Sequence, residues 1–114
     1  MPRKRFLLDR GQIDAYVDEC FVNHTQPRVS DLANRLGISR LVLSRAFKRY
    51  EGIGLSEHLA ERRHAQALIL LHDPKLDTAH ISAHSGHGSL RTFYRSFAKR
   101  EGVAPEKRRS ALLK

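Results

Sequence analysis

The sequence predicts an all-α fold of seven helices, and three observations carry that prediction. Apolar residues recur at helical spacing along the chain, as in Ile13, Val17, Cys20 and Phe21, or Phe93 and Phe97. No stretch alternates apolar and polar residues for long enough to make a half-buried strand. Helix-breaking residues stand between the periodic segments: Pro27, Gly37, Gly52, Gly54, Pro74, Gly86 and Gly102.

The first helix is expected over 9–23 and ends at His24-Thr25-Gln26-Pro27, because proline disfavours a helical residue before it. A short second helix over 29–36 carries Leu32, Ala33 and Leu36, and Gly37 stops it by supplying the positive φ of a tight turn. Ser39 is suited to cap a third helix over 40–51, with Leu43 and Phe47 inward. A long helix over 55–72 follows Gly54, with Leu59, Arg63, Ala67 and Leu70 or Leu71 along one side, and Asp73-Pro74 closes it. Asp77 can cap a fifth helix over 78–85, and Gly86 repeats the stop of Gly37. Ser89 can cap a sixth over 90–100, ended by Gly102. Pro105 suits the first turn of a seventh, running toward Leu113.

The chain nearly repeats itself. Leu32-Ala33, Gly37, Ser39, Leu43-Ser44-Arg45-Ala46-Phe47 and Glu51-Gly52 read against Ile81-Ser82, Gly86, Ser89, Phe93-Tyr94-Arg95-Ser96-Phe97 and Glu101-Gly102. A repeat at that spacing implies one supersecondary unit used twice. The unit is a short helix, a glycine turn and a longer capped helix, the sequence form of a helix-turn-helix. The expected organisation is a first helix-turn-helix subdomain over 1–54, a linker helix over 55–73 and a second helix-turn-helix subdomain over 74–114.

Composition narrows the function classes. The 114 residues are 40% hydrophobic and 29% charged, which fits a globular chain with its own core. The longest apolar run, over 67–71, is far short of a membrane span. The start Met1-Pro2-Arg3-Lys4-Arg5 is basic, but Asp9 and Arg10 interrupt any signal-peptide core. A single cysteine, Cys20, excludes an internal disulfide framework and a cysteine-based zinc finger, and its place on an apolar stripe makes it a core residue. A cytoplasmic protein is expected. Lys and Arg outnumber Asp and Glu by 21 to 12, a net charge of +9, so the surface favours polyanions.

In a helix-turn-helix the second helix enters the major groove, with apolar residues inward and base- and phosphate-reaching side chains outward. The outward set of the first unit is Arg40, Leu41, Ser44, Arg45 and Lys48; that of the second is Leu90, Arg91, Tyr94 and Arg95. Arginine can bond guanine O6 and N7 together, and leucine or tyrosine can meet a thymine methyl or a sugar.

These residues carry a resemblance. Ile81, Gly86, Phe93, Arg95, Phe97, Lys99, Gly102, Pro105 and Arg108 fall at the spacing of the long signature of AraC/XylS-type bacterial transcription regulators. Leu32-Ala33, Ser39, Leu43-Ser44-Arg45 and Phe47-Lys48 match the first unit of that family, and Gly54, Leu59, Arg63, Ala67 and Leu70 look like its linker helix. The chain thus resembles the family's DNA-binding domain over nearly its whole length. The resemblance implies two subdomains reading successive major-groove segments. It places Arg40, Leu41, Val42, Ser44 and Arg45, then Leu90, Arg91, Tyr94 and Arg95, at the DNA. It also implies a core position for His87, where the family usually has an aromatic or large apolar residue. Ser82 replaces the usual alanine and brings a hydroxyl that needs a partner.

Rival chemistry centres on His80, His84 and His87, of which the first two lie one helical turn apart. Two imidazoles so placed can ligate zinc or nickel, but no fourth ligand is at hand and no HExxH motif occurs, so the cluster is expected to be metal-free. No nucleophile-base-acid set or phosphate loop points to an enzyme or a cofactor. A reading of another class is an adaptor that touches RNA polymerase with weak DNA specificity. The favoured reading is a sequence-specific regulator that binds double-stranded DNA as a monomer on an asymmetric site. It is expected to be either a stand-alone regulator or the binding part of something longer.

Overall fold

The computed structural model describes residues 8–113, so the basic start over 1–5 lies outside the described residues. Among the described residues there are seven α-helices and no strand: α1 (Arg10–Asn23), α2 (Val29–Leu36), α3 (Arg40–Glu51), α4 (Leu55–Leu71), α5 (Thr78–His84), α6 (Leu90–Glu101) and α7 (Pro105–Leu112). The ends differ from the sequence expectation by one residue at most. Asp9 is a cap rather than the first helical residue, α4 stops at Leu71, α5 at His84 and α7 at Leu112, and α6 runs on to Glu101.

The caps explain where four helices start. Asp9, Ser39, Asp77 and Ser89 each have extended backbone and accept a hydrogen bond from an amide two or three residues on. Each satisfies one of the amides that a helix start leaves without a partner. At the end of α4, Ile69 O and Leu70 O accept from the next amides, His72 N and Asp73 N, while Arg109 of α7 donates to Leu71 O at 3.2 Å and to Asp73 O, beyond the helix, at 3.3 Å.

Two apolar clusters form, and α4 serves both. Ile13, Tyr16, Val17, Cys20 and Phe21 of α1 pack with Leu32 and Ala33 of α2, Leu43 and Phe47 of α3, and Leu55 and Leu59 of α4. Ala67 and Leu71, further along α4, pack with Ile81 of α5 and with Phe93 and Phe97 of α6. Two buried histidines of α4 extend the pattern. His58 lies on Phe47 and His64 on Phe97, with ring centroids 5.0 and 5.3 Å apart. Each longer hairpin helix is therefore seated on the linker helix through a phenylalanine, Phe47 in α3 and Phe97 in α6.

The far ends of those helices are also held alike. Glu51 closes on Arg10 at 2.6 Å. Glu101, at the matching position, closes on His64 at 2.9 Å and on Arg108 at 3.2 Å.

The two hairpins differ in their turns. Residues 37–39 join α2 to α3, whereas 85–89 join α5 to α6. The longer turn holds two glycines at positive φ, Gly86 and Gly88. It packs against the loop between α1 and α2: a Cβ on Gly86 would come within 2.8 Å of Pro27 Cδ and 3.2 Å of Thr25 O. The second hairpin thus meets α1 and the loop after it directly, as well as joining the first hairpin through α4.

A candidate nucleic-acid interface

α3 and α6 have the same length and the same cap. Each starts after a serine whose Oγ accepts from the amide three residues on at 3.1 Å, and each ends at a glycine in the left-handed region. Their burial follows one pattern. Leu43 and Phe47 in α3, and Phe93 and Phe97 in α6, are buried. The residues just before Leu43 and Phe93 are exposed, as are the arginines two places after them.

Most of the expected contact residues lie on these open faces. Arg40, Leu41, Val42, Arg45 and Lys48 are exposed on α3, and Ser44 is half-buried. Leu90, Arg91 and Arg95 are exposed on α6. Leu41 is 58% exposed, Val42 44% and Leu90 43%. Such side chains are suited to thymine methyl groups.

Tyr94 departs from the outward reading. Its ring is half-buried and packs against the second apolar cluster. Its hydroxyl donates to the Glu106 carboxylate and accepts from the Thr78 hydroxyl at 3.3 Å. The carboxylate pushes the phenol pKa up. Tyr94 therefore braces α6 against α5 and α7. Thr92, which the sequence reading passes over, is exposed at the place Val42 holds in α3. The repeat register would have found it.

The ion pairs leave these faces cationic. On α1, Asp14 and Asp18 hold Arg62 at 2.8 and 2.9 Å, and Glu19 holds Arg35. Among the described residues no carboxylate pairs with Arg40, Arg45, Lys48, Arg91 or Arg95. α3 carries four Lys or Arg against one Glu, and α6 the same, a balance that attracts a polyanion to these helices.

The histidines divide in two. His80 stacks on His84 at 3.9 Å, and His24, at the end of α1, joins at 3.7 Å from His84. The partial burial of His84, and then its neighbours His24 and His80, lower its pKa. His87 does not belong to that group. It is buried edge-on to Phe93, with Nδ1 2.7 Å from Ser85 Oγ. Burial first, then Arg63 and His64, push its pKa down to about 4, so it is neutral at physiological pH. Ser82 finds its partner by donating to Ser89 O at 3.1 Å. Among the described residues no three His, Cys, Asp or Glu side chains are arranged to hold a metal ion. No helix there is long and apolar enough to cross a membrane.

Comparison with known proteins bears on this arrangement. The Msm operon regulatory protein of Streptococcus mutans serotype c is 31% identical over 85 residues, which are 75% of this chain and 31% of that protein. The probable transcription factor PqrA of Proteus vulgaris is 32% identical over 80 residues, 70% of this chain and 66% of that protein. The chain thus spans about a third of the first relative and just under two thirds of the second. The crystal structure of the DNA-binding domain of AdpA, a global transcriptional factor, in complex with a target DNA, is similar with a TM-score of 0.73. It is 25% identical, over 88% of this chain and 91% of that one. The family model described as a helix-turn-helix domain matches residues 32–111, which run from within α2 through α3, α4, α5 and α6 into α7. The chain belongs to the AraC-type helix-turn-helix family.

Proposed function

We propose that this chain is the DNA-reading part of a transcription regulator, with α3 and α6 entering successive major-groove segments of one asymmetric site. One observation carries the reading: two capped helices in the same register present exposed arginines and aliphatic residues with no carboxylate paired to them. The names of the relatives and the DNA complex of AdpA support it. The residues assigned to base edges and phosphates are Arg40, Leu41, Val42, Ser44, Arg45 and Lys48, then Leu90, Arg91 and Arg95, with Tyr94 contributing through its half-buried ring. Residues 1–54 and 74–114 act as the two readers and 55–73 as the spacer between them. The work is binding rather than catalysis, on double-stranded DNA in the cytoplasm, with one chain per site.

Selection from a random duplex library at moderate salt tests the reading. Enrichment of one two-box motif is the expected result. Binding without enrichment would instead fit an adaptor that meets RNA polymerase and holds DNA only loosely.

A further inference from the structure

Arg63, midway along α4, lies outside both recognition faces. It is half-buried, and among the described residues no carboxylate pairs with it. Burial, and then the nearby charge of Arg100, lower its pKa. The residue before it is treated differently: Arg62 is held by two carboxylates. A guanidinium partly withdrawn from water beside a second cation is costly until an anion reaches it.

Two grooves flank α4 at this point. One, of about 440 Å³, is lined by Arg28, Ser30, Arg40, Ser56 and Arg63 among others. The second, of about 520 Å³, is lined by Ala60, Arg95, Lys99 and Arg100 with Thr92 and Ser96. Neither lining includes a carboxylate, although the chain has 12 Asp and Glu. Arg40 opens α3 and Arg95 stands on the outer face of α6, so one groove borders each recognition helix. Ser56, Ala60 and Arg63 follow at helical spacing, which puts one strip of α4 between those faces.

A duplex that receives α3 and α6 in successive major grooves must pass this strip with the phosphates that border the intervening minor groove. We infer that Arg63, with Arg28 and Arg40 on one side and Arg100 on the other, is a seat for a DNA backbone phosphate between the two boxes. The inference rests on the function proposed above. The planar fork of arginine matches a phosphate with two parallel hydrogen bonds. The contact reads no base. It holds the duplex against the linker helix and so fixes the approach of both readers.

The test is the salt dependence of binding by the full chain, measured on the enriched duplex and on a random duplex of equal length. Arg63→Gln is expected to weaken both by about tenfold and to reduce the slope of log K against log salt by about 0.9, one phosphate's share. Arg63→Lys should keep the slope and lose only part of the affinity, with thermal midpoints of all three proteins compared to establish folding. An unchanged slope in Arg63→Gln, with preference for the enriched duplex intact, overturns the inference and leaves the proposed function standing. Equal wild-type affinity for the two duplexes, with the slope change still present, defeats sequence-specific reading and supports the phosphate seat. Loss only of thermal stabilisation by inorganic phosphate, with DNA slopes unchanged, makes the groove a free-anion site and also overturns it.

Discussion

Arg45 and Arg95 occupy the same place on their helices, two residues after a buried inward side chain and open to solvent. Replacing either by alanine is expected to cost about 1–3 kcal/mol on the enriched duplex and to relax preference at one base position. Titration of each variant against single-base variants of the site measures both effects, and wild-type affinity in both proteins would mean the recognition faces are wrongly assigned. His87 gives a prediction about stability. Its folded pKa of about 4 lies below the ordinary value of 6.5, so the unfolded chain takes up the proton first. The contribution is intact above about pH 7. It is lost as pH falls from about 6.5 toward 4, and the full loss is roughly 3 kcal/mol. His87→Phe should flatten that part of the curve, since Ser85 Oγ keeps its 2.6 Å bond to Ile81 O; urea midpoints at several pH values compare the two proteins. The arginines were legible because exposure follows from helical spacing. The restraint on Tyr94 was not, because Glu106 lies on another helix and leaves no periodic trace beside it.

The helix boundaries were legible to within a residue because local chemistry sets them. Ser39, Asp77 and Ser89 cap, and Gly37, Gly52 and Gly102 stop, with partners only a few residues away. The buried His58 lies beside Leu55 and Leu59 on the apolar stripe of α4, and could have been read the same way. The turn between α5 and α6 could not, because its shape answers to a loop far away in sequence. This yields a contrast between two glycines of similar φ, +68° at Gly37 and +71° at Gly86. Around Gly37 an added Cβ meets nothing within 4 Å, so Gly37→Ala should cost only the left-handed backbone penalty, about 1–2 kcal/mol. Around Gly86 the same Cβ meets Pro27, the Thr25 carbonyl and Phe21 at 2.8–3.3 Å. Gly86→Ala should therefore exceed Gly37→Ala by a further 1–3 kcal/mol, the range for overpacking. Chemical denaturation of the two variants decides it, and equal losses would mean the contact of the second turn with the α1–α2 loop carries no strain.

The placement of one hairpin against the other belongs to the whole molecule and was the least legible feature. It depends on α4, which a sequence shows, and on His24 against His84 and Pro27 against Gly86, which it does not. Together they bear on how the chain meets DNA. The 17 residues of α4 rise about 25 Å, while successive major grooves lie about 34 Å apart. A linker that is both helical and braced by the contact of the second hairpin with the end of α1 and its following loop cannot stretch, so where it holds α3 and α6 closer than one groove repeat the duplex must bend toward the protein, at a cost of order 1–6 kcal/mol. The outward residues of the two helices differ, Arg40, Leu41 and Val42 against Leu90, Arg91 and Thr92, so the boxes must be unlike and the site asymmetric. Their centres should lie about 10–10.5 bp apart. Inserting five base pairs between them turns one box to the opposite face of the duplex, and tight binding should fall to the level of a single box. Inserting ten should restore the face but not the distance, and a braced linker should fail there too. Both inserts are measured against the parent site by gel shift at protein concentrations low enough to dissociate a dimer. Tight binding to either insert, or a two-fold symmetric footprint with two chains per site, would show that the hairpins move independently or that a second chain supplies the second reader.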